Sequence, residues 1–342
     1  MEHSNSTAIA ADIPAQLPSY SAHEFFHLWN VKRIRPQSLE PLDYTKEMWT
    51  RSLWFAEGVT NAYASYTLAR TGLWSAQKFY GDLASRISEL ELRPAHRWQS
   101  VEQSSLDAWY EKYPHYARPE ESISYYSKGQ IVGVALDIVI RDRTDNRASL
   151  DDLLRTLNEE YAQHGRYYND TDGIRSAAEN VIRKNAPGAD ADLKDFFAQY
   201  ISGAVEIPFS SILERAGLAI RDSVQHRASL GFAISRDPGG AFSVASLEME
   251  SAAGQSGLSE GDILLAINGE AVPHAPERWL RDHQPDERVA VKVRRAGEER
   301  EFSFPLGRMT DGTYQISEMP NATEKQRRIR DGILHGAAGP LR

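Results

Sequence analysis

The sequence predicts an α+β protein, with a mainly helical unit first and a small β-rich unit after it. Two observations predict this. From Ser21 to about Ile220 apolar residues recur at three- and four-residue spacing, the period of one helix face. Beyond Ile220 the runs are short, rich in β-branched and aromatic residues, and punctuated by glycine turns. A chain of 342 residues also exceeds what one core usually holds, which favours two globular units.

Met1–Leu17 is too polar for a core helix and suits an edge strand and loop. Helical periodicity then covers Ala22–Val31, Thr45–Arg70, Ser75–Glu91, Lys128–Arg141, Leu150–His164, Asp172–Lys184 and Asp192–Ser202. Ser149 ahead of Asp151 and Asp152 starts one helix, and Asn185-Ala186-Pro187-Gly188 ends another. Strands are expected at Leu230–Ser235, Phe242–Leu247, Asp262–Ile267, Val289–Arg294 and Glu301–Pro305, separated by Pro-Gly-Gly, Asn-Gly and Ala-Gly turns. The expected domains are 1–222, catalytic, and 223–308, β-rich, with 309–342 as a polar tail that turns basic through Lys325–Arg330 and is solvated or frayed.

A net charge of −9 argues against a general nucleic-acid surface. With no cysteine, disulfides, thiol nucleophiles and thiolate metal sites are excluded, so any metal must be held by His and carboxylate. No apolar run approaches the roughly 18 to 20 residues that span a bilayer, and MEHSNSTAIA lacks the basic start and apolar run of a signal peptide. The compartment stays open between periplasm and cytoplasm.

His23-Glu24-Phe25-Phe26-His27 has H-E-x-x-H spacing. On a helix, residues i and i+4 share a face, so both imidazoles can reach one ion while Glu24 addresses a bound water. Phe25, Phe26, Leu28 and Trp29 are expected to bury the helix around the site. A catalytic metal needs a third protein ligand. Glu57, in Leu53-Trp54-Phe55-Ala56-Glu57-Gly58, is an acid among large apolar residues, where burial is costly unless the carboxylate binds metal. Two imidazoles and one carboxylate form the usual hydrolytic zinc set, with one Zn²⁺ per chain expected, although cobalt, manganese or iron could also be held. Glu24 is the expected general base. A phenol from Tyr125 or Tyr126 would stabilise the oxyanion, and Asn61, one turn after Glu57, is a candidate partner for a ligating histidine.

These residues resemble the gluzincin peptidases, in which H-E-x-x-H is followed by a glutamate ligand on a later helix. Residues 23–36 (HEFFHLWNVKRIRP), 53–58 (LWFAEG) and the β-rich region resemble, more closely, the glycyl aminopeptidase family. The resemblance implies a thermolysin-like catalytic domain with zinc. It also implies that Tyr126, in Tyr126-Ser127-Lys128-Gly129, assists the oxyanion, and that Glu2 binds the substrate's free amine. Family members carry a largely β domain ahead of the strand with Glu2, and this chain begins inside that strand, so metal binding is expected to survive better than turnover.

Ser229-Leu230-Gly231-Phe232, followed by Ser256-Gly257-Leu258 and Gly261-Asp262-Ile263-Leu264 through Asn268-Gly269, resembles a PDZ domain. Leu230, Gly231 and Phe232 would form the loop that holds a peptide C-terminal carboxylate. The leading expectation is an aminopeptidase acting on peptides with small N-terminal residues, glycine or alanine. The alternatives are a zinc endopeptidase, or a catalytically weak fold that acts through peptide binding at the PDZ-like region.

Overall fold

The computed structural model describes residues 17–111, 121–237, 239–273 and 276–336. The chain is α+β and divides into two compact units, one formed by Met1–Asp222 with Tyr314–Arg342, the other by Ser223–Thr313. Among the described residues no helix is long and apolar enough to cross a membrane.

The first unit begins with α1 (residues 17–26) and a tight turn through Ile34. A π-helical turn, Trp54–Val59, runs directly into α2 (Thr60–Arg70). There follow α3 (Ala76–Glu91), α4 (Val101–Leu106), α5 (Ala108–Glu111), α6 (Tyr125–Arg143), α7 (Leu150–Glu160), α8 (Asp170–Asn185), α9 (Lys194–Tyr200) and α10 (Phe209–Glu214). The central helix is α6, with every residue from Ser127 to Arg141 buried. Its amphipathic signal is weak for that reason: a helix surrounded by protein is apolar on all sides.

Helix was expected from Thr45, yet it starts only at Trp54. The polar side chains upstream make the difference: Thr50 Oγ1 accepts from the Ser52 backbone N–H at 3.1 Å, a local bond that competes with helix formation, and a distant carboxylate holds the hydroxyls. Asp170 Oδ1 accepts from Ser38 Oγ at 2.6 Å, Ser52 Oγ at 2.9 Å and Thr50 Oγ1 at 3.1 Å, which ties this irregular stretch to the start of α8.

Where the π turn crosses α6 the two backbones touch. A Cβ on Gly58 would lie 2.4 Å from Gly129 Cα, and one on Gly129 would lie 2.4 Å from the Trp54 carbonyl oxygen. Side chains at a helix crossing set the interaxial distance, so two facing glycines allow an approach that any other residue forbids. The start of α6 is thereby fixed against the turn that carries Glu57.

The polar tail expected over 309–342 is replaced by ordered structure among its described residues. A long strand, β8 (Gly307–Glu318), pairs with β1 (Leu218–Ser229). Then α13 (Glu324–His335) opens on a capping box between Thr323 and Gln326 and packs into the first unit. Ile329, Ile333 and Leu334 are buried, a narrow apolar stripe hidden in the sequence among arginines. Arg330 belongs to the packing as well, reaching the Gly217 carbonyl and Glu318.

In the second unit β2 (Phe232–Arg236), β3 (Phe242–Leu247), β4 (Ile263–Ile267), β6 (Arg288–Arg295) and β7 (Glu298–Pro305) lie in that order, with the short β5 (Glu270–Ala271) beside β4. Two short helices, α11 (Ala252–Gln255) and α12 (Pro276–Leu280), complete it. Val244, Leu264, Val289, Val291, Val293 and Phe304 supply its core, at alternate positions along β6 as a one-faced antiparallel sheet requires. Among the described residues strand β2 pairs with β3 alone.

Candidate metal centre

Three side chains from two elements converge. His23 lies in the last turn of α1 and His27 one turn on, just past its end, while Glu57 comes from the π turn. The Glu57 Oε2 atom is 3.2 Å from both His23 Nε2 and His27 Nε2, and the two nitrogens are 3.0 Å apart. Among the described residues no other group of three His, Asp or Glu is close enough to share an ion.

The donor set fits a metal. A tetrahedral ion with bonds of about 2.05 Å separates its ligand atoms by about 3.3 Å, close to the three edges found here. His27 also has its second nitrogen fixed: Nδ1 lies 2.9 Å from the Asn30 carbonyl oxygen, so it carries the proton and Nε2 keeps its lone pair for the site. The electrostatics agree. Burial alone would raise the Glu57 carboxyl, but hydrogen bonds from His23 and His27 hold it down to about 2, so the glutamate is an anion at neutral pH. His27 is raised, mainly by its hydrogen bond to Glu57 against the opposing effect of burial, with a smaller electrostatic push from Glu24.

The π geometry explains how Glu57 reaches the histidines. Trp54, Phe55, Ala56, Gly58 and Val59 are all buried, so the turn is wedged on nearly every side, and the wide turn leaves Glu57 as its half-exposed member. Glu24 is exposed beside the ligands. The Tyr126 ring centroid lies 6.2 Å from that of His23, and Tyr125 stacks on Tyr126 at 4.8 Å. Lys128 is two residues further, on the other side of α6. It is buried, and burial brings it down to about 8 despite the nearby Glu91.

Other expectations change. Only Phe26 anchors α1, stacking on Tyr63 at 4.2 Å, whereas Phe25, Leu28 and Trp29 are 62, 52 and 41% exposed. They lie on the surface of α1 and of the turn that follows it and do not bury the site. Among the described residues there is no hydrogen bond from Asn61 to His23 or His27; the partner of His27 is the Asn30 carbonyl. Sequence reasoning passed over Asn30 because a backbone carbonyl leaves no mark in residue type. Glu2 lies outside the described residues.

In the second unit Leu230 is a core residue, 4% exposed, and Phe232 packs edge-on to Phe304. Gly231 takes φ +73°, and a Cβ there would meet Ser251 Oγ at 2.5 Å, so its conformation admits glycine alone. Its N–H donates to Ser229 Oγ at 3.1 Å.

The profile of the M61 glycyl aminopeptidases matches residues 16–132, and the PDZ profile matches residues 219–282. A crystal structure of an aminopeptidase N family protein from Idiomarina loihiensis is similar over 93% of this chain at 23% identity, with a TM-score of 0.77. That likeness establishes the fold, and this chain spans 55% of the length of that one. Local likenesses over 25% of this chain and 30% of theirs include an HtrA-type protease, AlgW, with a decapeptide, at 18% identity and a TM-score of 0.23. A serine endoprotease from Yersinia pestis is similar over the same shares at 19% identity and a TM-score of 0.22. No curated protein matches the sequence.

Proposed function

We propose that the chain is a zinc-dependent aminopeptidase that removes small N-terminal residues from peptides. The observation that carries the proposal is the convergence of His23 Nε2, His27 Nε2 and Glu57 Oε2 at 3.0 to 3.2 Å. These residues would hold the ion, and Glu57, ionised at neutral pH, would supply one negative charge to it. Bound zinc lowers the pKa of a water to about 7 and polarises a carbonyl. Glu24 takes the proton of the attacking water and delivers it to the leaving amine. The Tyr126 phenol donates a hydrogen bond to the developing oxyanion. Glu2, by family resemblance, pairs with the substrate ammonium and sets the scissile bond one residue away.

Metal analysis with a panel of free and N-blocked glycyl and alanyl substrates tests this reading. One zinc per chain with cleavage of unblocked substrates alone is expected. Cleavage of blocked substrates would convert the assignment to an endopeptidase, and zinc without turnover would leave a peptide-binding protein on a silent fold.

The single-neighbour strand β2 also favours peptide capture by the PDZ domain, since an extended peptide can add there as a strand. Substitution at Gly231 would be a poor test, because the contact with Ser251 makes it a folding residue. Free-acid and C-terminally amidated forms of one apolar-tailed peptide separate the two effects. The free acid is expected to bind at least about tenfold more tightly, the cost of one charge-assisted contact; equal affinities measured by calorimetry would exclude carboxylate capture.

A further inference from the structure

Resting on the zinc reading, we infer that Asn30 is the positioning residue of this site, one side chain that sets both ligand-bearing elements against each other. Asn30 is fully buried. Its Nδ2 donates to the Phe55 carbonyl at 2.8 Å and lies 3.3 Å from the Ala56 carbonyl, both within the π turn that carries Glu57. It also donates to Thr60 Oγ1 at 3.1 Å, and that hydroxyl donates in turn to the Ala56 carbonyl at 2.7 Å. A wide turn disturbs the α-helical pairing of its carbonyls, and buried carbonyls require donors. Asn30 provides them from outside the helix.

The same residue addresses the other element through its backbone. Its carbonyl is the acceptor for His27 Nδ1 at 2.9 Å, which fixes the imidazole tautomer and ring plane. Glu57 and His27, 30 positions apart in sequence, are thus referred to one rigid peptide unit.

The backbone of the following residue holds that unit in place. Val31 takes φ +103°, a conformation costly for a β-branched residue that persists only where the surroundings impose it. They do so here: Val31 N–H donates to the Ile34 carbonyl at 3.1 Å, and Ile34 N–H to the Trp29 carbonyl at 2.8 Å, closing the turn that returns the Asn30 carbonyl to His27.

The test compares the full chain with Asn30→Ala and with a control, Asn146→Ala, which removes another buried amide from the same unit, one bonded to Arg141 and Arg328. Zinc affinity is read by chelator competition, site geometry by the visible spectrum of the cobalt form, and folding by the melting temperature of the metal-free protein. Asn30→Ala is expected to weaken zinc about 10- to 100-fold and to change the cobalt spectrum. Asn146→Ala is expected to lower the melting temperature without altering either metal readout. Wild-type zinc affinity and cobalt spectrum in Asn30→Ala would overturn the inference. Should Asn30→Ala fail to fold, Thr60→Val decides. Removing that hydroxyl is expected to weaken zinc several-fold in the same direction, and an unchanged affinity overturns the inference. Failure of the zinc reading shows up separately, as an unaltered chain that binds neither zinc nor cobalt.

Discussion

Glu24→Gln is expected to abolish nearly all peptide hydrolysis while leaving the metal content unchanged. The amide cannot take a proton from the attacking water, and positioned general bases contribute roughly 10² to 10⁴ in rate. The side chain is exposed and is not among the converging ligand atoms, so neither folding nor metal retention depends on it. Steady-state kinetics alongside elemental analysis check both halves. Retained turnover would refute Glu24 as base, and lost zinc would show it to be part of the metal cage.

Gly129→Ala is expected to be among the most destabilising single-methyl additions in the first unit. The new Cβ would lie 2.4 Å from the Trp54 carbonyl oxygen and 3.0 Å from Gly58 Cα, both backbone atoms that cannot rotate aside. The helices must part, and overpacking of this kind costs at the upper end of the usual range, about 3 kcal/mol. For a unit of this size that corresponds to a fall in melting temperature of roughly 6 to 12 °C. Separation of α6 from the π turn would also carry Tyr126 away from the ligands, so activity should fall with stability. Gly81→Ala is the internal contrast. That position lies within α3 with open space around a new Cβ, and a gain of roughly 0.4 to 1 kcal/mol is expected from reduced freedom of the unfolded chain. If the two substitutions had equal effects in thermal denaturation, the close helix crossing would not constrain the fold.

Side-chain type and spacing by themselves determined much of this protein. His23 and His27 at i and i+4 specify one helical face, the acid Glu57 stands out in an apolar run, and glycine-punctuated alternation specifies a small sheet. These are local rules, legible because each residue type restricts its own surroundings. Only the tertiary structure decided what depends on neighbours distant in sequence. The crossing of Gly58 with Gly129 is invisible until both helices are placed. The basic appearance of Lys325–Arg330 concealed a three-residue stripe, Ile329, Ile333 and Leu334, that has meaning only against a core to receive it. Exposure of Phe25, Leu28 and Trp29 likewise follows from one-sided packing of α1 and the turn after it, which hydrophobicity cannot foresee. The H-E-x-x-H pair and Glu57 were legible from the outset. The distances of 3.0 to 3.2 Å that make them one site come from a strained turn at Val31, a π turn, and the amide and carbonyl of Asn30, because register between two elements is a property of backbone contacts and not of either sequence segment.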